Sequence, residues 1–137
     1  MSNANERVRG VASLVVELRD QHGVKANAES CGPLLFVGVA ERLGVESFHP
    51  LVERCFGQAY KPAGTSAFFK NLSDPLVRQL GGIRKEQTLF ALELGGEVTA
   101  YCMFWPWGSN PEKVSVRVGF VCESREAETD VKRDFQI

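Results

Sequence analysis

The chain carries none of the short motifs that mark a common catalytic or nucleotide site: no GxxxxGK[ST] phosphate loop, no GxGxxG turn, no GxSxG elbow and no HExxH helix. Its histidines number two, His22 and His49, and its four cysteines, at 31, 55, 102 and 122, form no CxxC pair. None of these stand at the i, i+3 or i, i+4 spacing that puts ligands on one helix face, so no metal and no cofactor is expected. An excess of one charge is missing as well. Lys+Arg total 16 against 17 Asp+Glu, so no overall field draws the chain to phosphate and nucleic-acid binding would need a local patch. No apolar run approaches the roughly 18 residues of a membrane span. The opening Met-Ser-Asn-Ala-Asn-Glu-Arg lacks the apolar core of a signal peptide, and the expectation is a cytoplasmic protein whose thiols stay reduced and pack as small hydrophobes.

What is present suits a folded domain: 137 residues, 44% hydrophobic and 24% charged. Val8, Val11, Ala12, Val15 and Leu18 recur at helical spacing behind an Asn3-to-Glu6 capping box, and Gly23 supplies a stop. Leu34 to Ala40 is a continuous apolar run that periodicity cannot assign. The good helix formers that follow it and Gly44 favour helix. Ser47 is placed to cap the next helix, with Phe48, Leu51, Val52, Cys55 and Phe56 as its apolar stripe and Pro50 in its first turn. Residues 66–72 suggest a short helical turn, and Asp74-Pro75 opens another that Gly81-Gly82 ends.

Residues 87–122 read as three antiparallel strands with Gly95-Gly96 as a tight turn. Placing Leu94 opposite Glu97 pairs Phe90 with Tyr101 and Leu89 with Cys102. Neither face of this meander is polar, so both need covering, by the helices and by further chain or a partner. The fold expected is α+β, N-terminal helices packed on a C-terminal three-stranded antiparallel β-meander. A single domain would span 1–122, and residues 123–137, alternating in charge, form a tail or surface helix.

Two stretches resemble known units. Residues 35–56 resemble a helix-turn-helix in Ala40, Gly44, Val45 and the helix opening at Ser47, which implies a DNA-binding regulator using His49 and Arg54. Pro50 departs from that pattern, and Glu46 and Glu53 oppose phosphate contact. Leu89-Phe-Ala-Leu-Glu-Leu-Gly-Gly-Glu-Val-Thr-Ala-Tyr101, followed by a strand at Val114 to Val121, resembles the central strands of GCN5-related acyltransferases, where a hairpin feeds the strand that opens into the acyl-CoA site. Where that family has a glycine-rich pyrophosphate turn, this chain has Cys122-Glu-Ser-Arg-Glu-Ala-Glu-Thr-Asp130, so the resemblance implies a degenerate domain without the cofactor.

Cys31, ahead of a helix starting at Pro33, is a candidate nucleophile with His22 or His49 as base. Glu93 and Glu97 bracket the glycine turn as exposed carboxylates. Both tryptophans stand in Phe104-Trp-Pro-Trp-Gly108, with Tyr101 and Met103 leading in. Such residues supply large buried area at low entropy cost and dominate binding hot spots. The reading favoured is therefore a non-catalytic interaction domain that binds a protein partner or itself, as a homodimer, through Tyr101, Met103, Trp105 and Trp107. The helix-turn-helix regulator is the alternative, and a small enzyme with a Cys31 nucleophile or a degenerate acyltransferase-like domain is the further one.

Overall fold

The computed structural model describes residues 3–66, 74–95 and 97–137. Helix α1 (Asn3–Gln21) buries all five residues of the expected stripe, with Leu14 beside them. Gly23, at φ 73°, turns the chain out of it, and the Val24 N–H reaches back to the Leu18 carbonyl at 3.2 Å. A two-residue strand, β1 (Lys25–Ala26), leads to a tight turn in which Gly32 and Leu35 exchange backbone bonds around Pro33-Leu34.

From that turn springs β2 (Leu35–Glu41), followed at once by α2 (Arg42–Phe56). The apolar run is therefore a strand, not a helix. Flanked by β1 and by β5 (Lys113–Cys122), and apolar on both faces, it has the continuous pattern that a buried strand shares with a buried helix. It also removes the helix-turn-helix: residues 35–56 are one strand and one helix, with Gly44 in the first turn of α2. Pro50 lies in the helix interior, where it has no N–H to give the Glu46 carbonyl, and Ser47 caps nothing; its hydroxyl donates to the Gly44 carbonyl. Phe48, Val52 and Phe56 are buried as their spacing indicates.

Asp74 accepts from the Leu76 and Val77 N–H groups and caps α3 (Pro75–Gln79), which ends at Gly81 and Gly82, both at positive φ. The short turn expected over residues 66–72 lies outside the described residues except for Ser66. Strands β3 (Thr88–Gly95) and β4 (Val98–Pro106) complete the sheet with β5, and α4 (Arg125–Asp134), capped by Ser124, closes the chain.

Among the described residues the sheet has five strands in the order β1-β2-β5-β4-β3, all antiparallel, which corrects the three-stranded meander. The β3–β4 register also differs by one residue: Phe90 faces Cys102 and Leu89 faces Met103. The cause is a bulge between Glu93 and Gly95, where Gly95 takes φ 130°. With a side-chain period of two, that slip exchanges the faces. Phe90, Ala100, Cys102 and Phe104 thus join Phe36, Ala40, Val116 and Val118 under α1, α2 and α4. Tyr101, Met103 and Leu89 face the other way, where Val77 of α3 and Ile83 cover them.

The charged C-terminal segment is held into this core. Ala127, Val131 and Phe135 are buried, Phe135 meets Phe120 edge-on at 4.9 Å, and the buried Asp134 carboxylate pairs with Arg9 of α1 and with Arg133. Among the described residues no helix is long and apolar enough to cross a membrane.

Candidate functional site

Along β4, Tyr101, Met103 and Trp105 alternate onto the second face of the sheet. Tyr101 and Met103 are buried beneath α3 and Ile83, and Trp105 is half-buried at the rim of that cover. Pro106 is the last residue of the strand. Beyond it the Trp107 N–H still reaches the Lys113 carbonyl, and its indole N–H donates to Ser115 at 2.9 Å while the residue stays 39% exposed. The four aromatic-tip residues therefore divide into two core residues and two surface ones.

Beside Trp105 the structure adds a residue that sequence reading passed over. Arg117 lies on β5, between Val37 of β2 and Met103 of β4, on the same face. Its guanidinium sits 4.8 Å from the centroid of the Trp105 ring. Among the described residues its buried Nε has no hydrogen-bond partner and the side chain forms no ion pair. The residues outside the described ones include no Asp or Glu. Stacking on an indole is worth about 0.5–2 kcal/mol, of the order of the 1–3 kcal/mol that one unsatisfied buried donor costs, so the fold gains little by keeping this cation. The available signal was the run Val114-Ser-Val-Arg-Val118, whose alternation sets Ser115 and Arg117 opposite the buried valines.

A cavity of about 680 Å³ opens next to Trp105, lined by Arg78, Gly81, Gly82, Ile83, Arg84 and Gln87. Its walls are fixed by local structure. The Asp74 cap and the two glycines set α3 and hence Arg78. Arg84 is set by Lys61, which pairs with the edge of β3 through Leu89 and whose fully buried ammonium donates to the carbonyls of Arg84, Lys85 and Gln87. The buried Gln87 side chain accepts from the Arg84 N–H at 2.8 Å. Burial pushes the Lys61 pKa down while the Glu86 charge pulls it up, and the three carbonyls can take all three of its protons. Neither Arg78 nor Arg84 has a side-chain ion pair or hydrogen bond among the described residues, and no carboxylate lines the cavity.

The other sequence candidates fall elsewhere. His49 lies in a cleft of about 520 Å³ between α2 and the strand ends, its Nδ1 3.2 Å from Glu53 and its ring against Phe90 and Phe104. Arg54 is exposed and does not line that cleft; five residues on a helix place it about 140° away. Glu46, Glu53 and Glu86 share the cleft with Arg42, a balance that opposes phosphate.

Cys31 precedes a turn, not a helix, so no helix dipole acts on it. Its sulfur is engaged with the backbone N–H and carbonyl of Val37, while His22 lies near Glu17 at 3.7 Å. Burial pushes the thiols of Cys55, Cys102 and Cys122 up, away from thiolate chemistry. Glu97 accepts from Ser124, and Glu93 stands exposed opposite Thr99. Strands β4 and β5 pair without a break from Val98–Cys122 to Pro106–Val114. Among the described residues no three His, Cys, Asp or Glu side chains converge as metal ligands. Compared with known proteins, the chain matches no family model, no curated protein and no solved structure.

Proposed function

We propose that this domain binds another protein, without catalysis, through the end of the second sheet face that carries Trp105, Arg117 and Trp107. The observation that carries the reading is Arg117, a cation stacked on Trp105 with a buried Nε that nothing among the described residues satisfies. A group from which the isolated fold gains little is accounted for if a partner completes it. Trp and Arg are also the side chains that dominate interface hot spots, and the packed Tyr101 and Met103 beneath give them a rigid base. Self-association is the simplest version, and four free thiols suit a reducing cytoplasm.

The test replaces Arg117 with methionine, which keeps the contact with the indole and deletes the charge. On this reading Arg117→Met leaves the melting temperature unchanged or raises it by a few degrees. A fall of more than about 5 °C, corresponding to roughly 1 kcal/mol, would make Arg117 a structural residue and remove the argument. Tryptophan emission with acrylamide quenching across a dilution series reads self-association separately.

A further inference from the structure

Arg117 is one of three guanidinium groups at this end of the sheet that lack an anion among the described residues. Arg78 and Arg84 line the cavity of about 680 Å³ beside Trp105, and Trp105 itself carries Arg117 at 4.8 Å. Three cations near one aromatic wall with no carboxylate in the lining make a strongly local positive site on a chain whose net charge is -1.

Resting on the binding reading above, we infer that the cavity formed by Arg78, Arg84 and Trp105 receives an acidic segment of a partner protein, with Asp or Glu carboxylates on the arginines. Guanidinium groups match carboxylates in bidentate geometry, and the indole supplies an apolar wall for the stem of a glutamate. The volume falls within the range of sites that take a small ligand or a few side chains.

A polynucleotide fits less well. At the opposite end of the same face, Asp74, Glu93 and Glu123 line a second cavity of about 520 Å³. From Trp105 to Thr99 is six strand residues, or roughly 20 Å. A phosphate backbone running along the sheet would leave the arginines and meet these carboxylates, whereas a short acidic segment need occupy only the cationic end.

Hexaglutamate is the probe, followed by the indole N–H cross-peaks of the two tryptophans in a ¹⁵N-labelled protein, which Trp107→Phe assigns. The expected result is a saturable shift of the Trp105 peak, weakened at least tenfold between about 20 and 200 mM salt. Arg78→Ala with Arg84→Ala should weaken it about tenfold further, the loss of two partly screened ion pairs. The backbone amide spectrum of that variant should stay native, because the Lys61 bonds go to carbonyls that alanine retains.

Absence of a saturable shift, or an unchanged response in the double variant, would overturn the inference. So would tighter binding of hexathymidylate, which would assign the site to nucleic acid, or equal binding of inorganic phosphate, which would assign it to a free anion. If Arg117→Met raises the melting temperature while hexaglutamate has no effect, the binding surface stands and the acidic partner is excluded.

Discussion

The phenol end of Tyr101 lies over Gly119, its direct neighbour across β4 and β5. A Cβ on Gly119 would stand 2.7 Å from the Tyr101 hydroxyl oxygen and 3.0 Å from the Leu34 carbonyl, which accepts the Phe120 N–H where β2 meets β5. Glycine is thus what lets a large ring cross the centre of the sheet. Gly119→Ala should cost about 1–3 kcal/mol in urea unfolding. Tyr101→Phe removes the nearest atom, so the double variant should lose less than the sum of the two singles. Strict additivity would show that the two residues do not touch.

Gly95 makes the bulge that sets the register of the β3–β4 hairpin, and its φ of 130° is one that L side chains rarely adopt. Gly95→Ala should therefore destabilise the protein by about 1–3 kcal/mol. The loss should appear first as faster amide exchange at Glu93 and Thr99, the last regular pair before the bulge. Alanine tolerated without change in either quantity would mean that the bulge is not held by glycine.

The Lys61 ammonium satisfies three carbonyls at once. Lys61→Met fills similar volume but leaves all three without that donor, and the expected loss is about 3 kcal/mol or more. Because Arg84 is among them, the same variant should blunt any response of the Trp105 peak to hexaglutamate. A stable variant with a native response would show that the turn at 84–87 holds its shape unaided.

Asp134 ties α4 to α1. The hydrogen bond from Arg133, with the charges of Arg133 and Arg9, holds its carboxyl below the usual range against the opposing effect of burial. The unfolded chain then binds its proton first as pH falls, so the contribution is complete above roughly pH 5 and is lost as pH drops below about 4 toward the folded pKa. The gap in melting temperature between the native protein and Asp134→Asn should be widest near neutral pH and narrow in acid. A gap constant from pH 7 to pH 3 would place the effect in packing instead.

Much of the local structure was legible because local rules decide it. The α1 stripe, the Asp74-Pro75 cap, the Gly23 stop and the apolar face of α2 rest on spacing and cap chemistry within a few residues. The register of β3 and β4 was not, because a two-glycine turn and a one-residue bulge at Gly95 read alike in sequence and place opposite faces inward. Of the candidate surface, Trp105 and Trp107 could be named from their clustering. Arg117, Arg78 and Arg84 come from β5, α3 and the turn after it, and only the packed sheet makes them neighbours of Trp105.

By itself, then, the sequence determined which segments are amphipathic, where α1 and α3 stop and that both faces of the C-terminal strands need cover. Tertiary structure decided that residues 35–41 are a strand, because a continuous apolar run takes the conformation that its neighbours cover on both sides, and β1 and β5 flank it as a sheet. It decided too which face of β4 each residue occupies, since one added residue reverses a two-residue period. Above all it decided that Arg78 and Arg84 line one cavity with Trp105, whose ring carries Arg117, a juxtaposition of positions 78, 84, 105 and 117 that no local spacing encodes.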